Sequence, residues 1–519
     1  MIKKYWFSLF VILLFYFISH LYSLLSLPVF ADESIYIRWS QLIIDDWKRY
    51  TFFSMNDGKT PLFIWLLVPF QFIFKDQLFA ARFLAVLIGF FQIILNTLIV
   101  KEFKLGRKIQ LLTAIITVIL PFWYFHHRIA LMDGLLTLLI SVSYLFLIKI
   151  LKDKTKNKSK IIRYSIISGI SFGLALLTKI PAILFFPVFY VSIFLVEYKN
   201  QKLFIQSLIK ITAPVFLGLL IFLLLKFNPA FGQLFSRGGD FLFPVSDFFA
   251  GAWKQTLPSF PNYLNYFYTY LTPSIFIFLI LGLFSKKNKR EIHVLFWSGF
   301  LFVLPIALLG RTVYPRYIFP ASLFFTLAAA ISMVDQLDNL LSGLKENISF
   351  KNVSLAVLIV LLISNTVITS FNFMYLSLFD SDKTPFIAAD KIQYLTEWSS
   401  GHGIKETSQL ILAESQNNTI AVATEGYFGT LPDGLLMYLH RQNLENIYVE
   451  GIGYPIASIP NTFITRAKDF DRKWLVVNSH RMDIKLNRKN LIAEFCRPFN
   501  SPCLQVWDIT DNFESYFNY

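Results

Sequence analysis

Charge is scarce in this chain. Of its 519 residues only 16% are Asp, Glu, Lys or Arg, while 55% are hydrophobic and 18% aromatic. With a mean hydropathy of +0.54, that balance excludes an ordinary soluble domain. Cysteine is scarcer still. Cys496 and Cys503 are the two, both close to the C-terminus, and no Cys/His metal-ligand cluster can be assembled from them. Acidic residues are outnumbered, 33 against 48 Lys and Arg, for a formal charge of +15. The surplus does not point to nucleic acid. The basic residues gather in short loops between apolar runs, where the positive-inside bias accounts for them. No internal repeat is present.

What the chain has instead is a succession of apolar runs, several near the ~20 residues that a bilayer crossing needs. The first, Tyr5 to Leu27, follows Lys3-Lys4. It is longer than a signal-peptide core, and Leu25-Ser26-Leu27-Pro28 is a poor cleavage site, so it reads as a retained anchor. With Lys3 and Lys4 inside, further runs are expected at 78–100, 109–125, 129–150, 164–178, 182–196, 204–225, 271–284, 293–309, 317–334 and 353–378. The sequence therefore predicts a polytopic α-helical membrane protein with about 11 transmembrane helices. The basic clusters at 101–108, 152–163, 199–202 and 286–290 then all fall on the cytoplasmic side. The run 61–74 is too short to cross and reads as an interfacial or re-entrant helix.

After Phe379 the character changes. Residues 380–519 contain no run able to span a bilayer. Short β-branched stretches, Thr419–Ala423 and Trp474–Val477, alternate with helical patterns at Ile404–Glu414 and Leu431–His440. This predicts a small extracytoplasmic α/β domain behind a membrane module at 1–379, whose main outer loops are 28–77 and 227–268. Outside the membrane, Cys496 and Cys503 are placed either to form a disulfide or to remain thiols.

Sorting polar residues by side gives a one-sided pattern. Asp32, Glu33, Lys59, Arg82, His126, His127, Arg128, Asp133, Lys179, Arg311, Tyr314, Arg316 and Tyr317 fall at outer span ends. Ionisable groups close to hydrocarbon are costly, so each is a candidate functional residue. Arg128 and Asp133 are five residues apart, and the pair reads either as facing one cavity or as pinning two helices. Carboxylates suit a general base, while arginines and a lysine suit a phosphate. Lys59, Arg311 and Arg316 have no obvious acidic partner nearby in sequence, so an anionic ligand and snorkelling toward headgroups are the competing accounts.

Several short segments, in this order, resemble one known group. They are Ala31-Asp32-Glu33-Ser34-Ile35-Tyr36, Gly58-Lys59-Thr60-Pro61, Ala81-Arg82-Phe83, Arg128-Ile129-Ala130-Leu131-Met132-Asp133, Gly173 to Pro181, and Pro315-Arg316-Tyr317-Ile318-Phe319-Pro320. Together they are similar to GT-C superfamily glycosyltransferases of the protein-mannosyltransferase and aminoarabinose-transferase (family 39/83-like) type, over roughly residues 1–335. The resemblance implies a GT-C fold that transfers a sugar from a polyprenyl-phosphate-linked donor to an acceptor at the outer face of a cytoplasmic membrane of bacterial type. It implies Asp32 as the acceptor-activating base with Glu33 beside it, and Lys59 with Arg311 or Arg316 on the donor phosphate. Asp133 would orient the acceptor or support the site, and Lys179, Arg128, His126, His127, Tyr314 and Tyr317 would line the substrate cavity. Lys59-Thr60-Pro61 departs from the Lys-Pro-Pro usual in such transferases, so this loop loses one φ constraint and keeps its charge.

No cofactor is expected, and transfer is expected to be metal-independent. The sequence leaves the sugar unspecified, and the acceptor open among protein, lipid and glycan. Two rival readings stand beside the enzyme. A transporter or flippase of lipid-linked saccharide would place polar groups near the bilayer midplane. A non-catalytic envelope assembly factor would have no need of the Asp32 carboxylate.

Overall fold

The computed structural model describes residues 2–153, 157–196, 201–442 and 444–511. Lys154, Lys156 and Lys199 of the basic loops lie outside the described residues. The chain forms two compact units. One comprises 1–24, 52–63 and 82–379; the other comprises 25–51, 64–81 and 380–519. The division at 379 is the one that composition marks. The second unit also takes in most of the first outer loop, which the sequence reading assigns to the membrane module.

The first unit is a multi-pass helical bundle. Among the described residues, eight helices are long and apolar enough to cross a membrane, or nine if one bent pair is a single span. The three remaining runs of the sequence reading are helical but broken, each at proline. Arg107–Ile119 stops at Leu120, which is extended because Pro121 follows it, and Pro121–His126 begins a new helix. Ile180–Leu195 is two 3-10 turns around a short α-helix, with Pro181 and Pro187 at the starts of its segments. Pro273–Gly282 follows Thr272 at φ +67° and bends 108° from the helices before it. Long apolar runs are thus correctly located, but eleven unbroken spans are not what forms.

Burial orders the bundle. The apolar window of Pro315–Glu346 is 94% buried, so this helix is the hub, whereas Phe350–Phe379 at 17% and the first span at 22% are peripheral. Between helices Lys158–Thr178 and Gln201–Leu223 the approach is close because both sides carry glycine. A Cβ on Gly169 would lie 2.9 Å from Leu217, and one on Gly218 would lie 2.5 Å from Phe172. Gly169-x-x-x-Gly173 is the small-residue spacing that allows such packing in lipid.

The second unit is α/β. Its strands are β1 (Ile420–Thr424), β2 (Ile447–Gly451), β3 (Arg472–Asn478), β4 (Leu491–Cys496) and β5 (Cys503–Asp508), in the order β2-β1-β3-β5-β4. β1 runs parallel to both neighbours, and β5 is antiparallel to β3 and β4. Ala421, Ala423, Leu475, Val477 and Trp507 on the sheet pack against Ile456, Ile459, Phe463 and Ala467. Cys496 and Cys503 pair across β4 and β5 as a disulfide, which settles the alternative the sequence leaves open. They also lie close to Glu494, but sulfurs bonded to each other are not available as thiolate ligands.

Residues of the first outer loop complete this unit. The chain at 29–31 pairs with 399–401: Ala31 N–H donates to Ser399 O (2.9 Å) and Gly401 N–H to Val29 O (2.8 Å). The helix Ala31–Asp45 follows, with Ile35, Ile37 and Trp39 buried. Ser34 donates to Gly429 O (2.8 Å) and Gln41 to Met437 O (2.9 Å). The short apolar helix Leu62–Ile73 lies mostly in the same unit and has Pro69 inside it.

Candidate functional site

Asp32 and Glu33 belong to the second unit, and all the other candidate residues to the first. The two acids occupy the first turn of Ala31–Asp45, where the partial positive charge of the helix N-terminus favours carboxylates. They are not equivalent. Glu33 is fully buried, and its carboxylate accepts the N–H of Phe30 (3.0 Å), the reach-back half of a capping box. Asp32 is only half-buried. Glu33 is thus placed to hold the turn.

In the first unit a continuous group forms at the ends of three spans. Asp133 lies in the first turn of Met132–Lys152, and Lys179 caps the C-terminus of Lys158–Thr178. The Lys179 ammonium donates to Asp133 Oδ1 at 2.7 Å, so an acid at a helix N-terminus meets a base at a helix C-terminus. Both groups are largely enclosed, with side chains 4% and 22% exposed. The same ammonium lies 4.9 Å from the centre of the Tyr317 ring. The Arg316 guanidinium sits over Tyr317 (5.4 Å) and Tyr314 (5.5 Å), and Arg316 is buried. Five of the expected residues therefore form one contiguous cluster of a carboxylate, two cations and two phenols.

Arg128 does not join it. Its guanidinium donates to the carbonyls of Ser19, His20 and Tyr22 (2.9, 2.9 and 3.0 Å) and of Ser23 (2.8 Å). Arg82 donates to Leu24 O (3.0 Å). Both arginines thus satisfy carbonyls that the first span leaves open at its C-terminal end. Arg128 and Asp133 do not share a contact of the kind their spacing offers, because Asp133 takes Lys179 instead. The two histidines are core residues. His126 stacks on Phe319 (4.3 Å, 9° between planes) and donates Nδ1–H to Phe122 O. His127 fills the space over Gly89, where a Cβ would come within 2.4 Å of its ring.

Of the remaining cations, Arg237 and Arg311 adjoin Phe241, whose ring lies 6.2 Å from that of Tyr317: Arg237 sits over it (5.8 Å) and Arg311 N–H donates to its carbonyl (2.9 Å). Lys59 does have an acidic neighbour: Asp57, 3.5 Å away, which also accepts from Arg237 at 2.8 Å. Gly58 between them turns at φ +71°, a conformation that favours glycine. Arg311 is exposed and stacks over Phe243 (4.5 Å). Sequence reasoning missed Arg237, which stands in a loop with no span end to mark it. It also missed a polar network in the second unit, around Glu425, because no spacing pattern announces it.

The chain is similar in fold to solved membrane glycosyltransferases. The family model for dolichyl-phosphate-mannose-protein mannosyltransferase matches residues 54–235, a segment containing Lys59, Asp133 and Lys179. No curated protein matches the sequence. Among solved structures, ArnT from Cupriavidus metallidurans bound to undecaprenyl phosphate is similar, with TM-score 0.56 and 13% identity over 96% of this chain and 97% of that one. Its apo form matches with TM-score 0.56 and 14% identity over 98% of each chain. The apo oligosaccharyltransferase of Archaeoglobus fulgidus matches with TM-score 0.54 and 12% identity over 92% of this chain and 70% of that one. At such identities the likeness is one of fold.

Proposed function

We propose that this protein is a membrane glycosyltransferase that takes a sugar from a polyprenyl-phosphate-linked donor and gives it to an acceptor outside the cytoplasmic membrane. The observation that carries the reading is the Asp133–Lys179–Tyr317–Arg316 cluster. Enclosed cations beside phenols at the ends of apolar spans suit a lipid phosphate far better than bulk solvent. The ArnT structure, which has the same fold, holds such a phosphate.

Breaking the sugar C1–O bond leaves charge on the lipid phosphate, and fixed cations in a water-poor site stabilise that charge as it develops. Arg316 is the residue best suited to this among the expected cations, being buried and held between two rings. Lys59 shares the role in the proposal, with Asp57 setting the position of its ammonium. Asp32 accepts the proton of the acceptor hydroxyl or amine as that atom attacks C1. Single displacement inverts the anomeric centre. The mechanism draws on no metal or cofactor.

Near the middle of the spans, Gln92 donates to Asn96 (2.8 Å) and Ser141 (2.7 Å), and Asn96 to Thr117 (3.0 Å). A transporter would use such a place. These groups are neutral and bonded to one another across helices, which is how polar residues join spans in lipid. The test is incubation of the purified protein with labelled polyprenyl-phosphate sugars and membrane extract. Label moves from the donor to an acceptor with the parent and stays on the donor with Asp32→Asn. Label that never leaves any donor overturns the reading.

A further inference from the structure

The parallel part of the sheet has the order β2-β1-β3. The chain leaves β1 toward one neighbour and returns to β3 on the other side. The carboxyl ends of β1 and β3 therefore flank a topological switch point, the place where open α/β sheets bind ligands.

Polar and aromatic groups have collected at that edge. Glu425, the residue after β1, is buried and accepts from Asn478 N–H (2.8 Å), Asn478 Nδ2 (2.7 Å) and Arg481 (3.0 Å). Arg497 donates to Asn478 Oδ1 at 2.6 Å. The Arg481 guanidinium lies 4.6 Å from the Trp398 ring and 3.9 Å from the Tyr454 ring. Two loops present the aromatic rings and are tied together: Gly426 N–H donates to Gly453 O at 2.8 Å. Tyr427 lies over Gly453, where a Cβ would stand 2.9 Å from its hydroxyl. Despite this anchoring, Tyr427 is 72% and Tyr454 61% exposed. The two exposed rings stand on loops joined to each other and so form a patch that a ligand can cover.

The same edge adjoins the start of Ala31–Asp45. A Cβ on Gly429 would meet Trp398 at 3.0 Å and Ala31 at 3.9 Å, and Ala31 immediately precedes Asp32. Arg481 is already paired with Glu425, and Arg497 is buried on Asn478 Oδ1, so an ionic headgroup gains little. Exposed rings beside a guanidinium already engaged by Glu425 suit a pyranose, whose C–H face is apolar and whose hydroxyl rim can accept hydrogen bonds.

We propose that this strand-end surface, with Tyr427, Tyr454 and Arg481, is a carbohydrate-binding site that receives the acceptor as a glycan. The inference rests on the transferase reading above and specifies its acceptor class. Tyr427 and Tyr454 position the acceptor and take no part in proton transfer.

The experiment uses the full-length protein in nanodiscs on an array of immobilised oligosaccharides, with serine- and threonine-containing peptides spotted beside them. The parent is retained on a subset of glycan spots and not on peptides. The double variant Tyr427→Ala/Tyr454→Ala loses about tenfold in apparent affinity, the scale of two aromatic contacts. Its thermal unfolding matches the parent, because both side chains are largely exposed. Asp32→Asn binds the same glycans as the parent while transferring nothing, which separates this inference from the catalytic one. Retention on no glycan, retention that survives the double substitution, or capture by peptides alone overturns the proposal. Transfer that persists in Asp32→Asn overturns the assigned base and leaves the glycan result standing.

Discussion

Lys179 and Asp133 close a 2.7 Å ion pair between the C-terminal end of one span and the N-terminal end of another. The pair adjoins the Tyr317 ring, over which the Arg316 guanidinium also sits. Lys179→Met leaves an enclosed carboxylate without its cation and costs about 3 kcal/mol. Asp133→Asn/Lys179→Met removes both charges and recovers part of that loss. Thermal unfolding of the four proteins in one detergent gives the coupling, and additive effects would show that the pair does not stabilise the bundle.

The two adjacent acids at the start of Ala31–Asp45 are expected to separate cleanly. Asp32→Asn keeps the unfolding midpoint of the parent and abolishes transfer. Glu33→Gln retains measurable transfer but lowers stability by about 1 kcal/mol, because a neutral amide replaces the carboxylate that accepts the Phe30 N–H. Parallel activity and unfolding measurements check both halves.

Binding of undecaprenyl phosphate, with neither sugar nor acceptor present, ranks the cations. Arg316→Ala is expected to weaken it at least tenfold, a loss of about 1.4 kcal/mol. Lys59→Ala has a smaller effect, since Asp57 already neutralises part of that charge. Arg311→Ala changes least, because Arg311 is exposed and stacked on Phe243. Equal affinities across the three variants would place the phosphate elsewhere.

Low pH is expected to loosen the α/β unit. Burial, with Arg497 nearby, pulls His402 down from its ordinary 6.5 to about 4. Burial also lowers His440 and His480. Below pH 6.5 the unfolded chain takes up a proton that folded His402 refuses, so stability falls by up to ~1.4 kcal/mol per pH unit until about pH 4. Hydrogen exchange of the sheet between pH 7 and 4.5 reads the slope, and His402→Gln flattens it.

The Cys496–Cys503 bond closes a short loop between β4 and β5. The chain-entropy relation gives it about 2.5 kcal/mol. Reduction should speed exchange in that hairpin first. A disulfide also belongs to an oxidising compartment, in keeping with an exterior location for 380–519. A reporter that fluoresces only in the cytoplasm, fused after Tyr519, is therefore expected to stay dark.

How far the sequence could be read depended on the range of the interaction. Local signals were mostly reliable: Ile404–Glu414 is a helix with those bounds, and β1 and β3 fall on the two β-branched stretches, whereas of Leu431–His440 only Leu435–Leu439 is α-helical and Leu431 is extended. Apolar runs also located the long helices of the bundle, but not Phe260–Tyr270, which begins inside the expected outer loop 227–268. Prolines 121, 181 and 273 then broke segments that hydropathy alone presents as whole. Roles that depend on distant partners were not legible. Arg128 five residues from Asp133 looks like half of a pair, yet its carbonyl partners lie more than 100 residues away. Glu425 and Arg481 carry no motif, since a switch-point network is defined by strand order and not by spacing.

Ser34 and Gln41 find their hydrogen-bonding partners 395 and 396 positions later in the chain. During synthesis at about 5–20 residues per second, those partners arrive roughly 20–80 s after the helix that needs them. For that interval the helix Ala31–Asp45 has been made without the residues that bury its apolar face. Biogenesis of this protein therefore includes a waiting period. A chain arrested anywhere before residue 429 would present that face to lipid, to chaperones or to proteases.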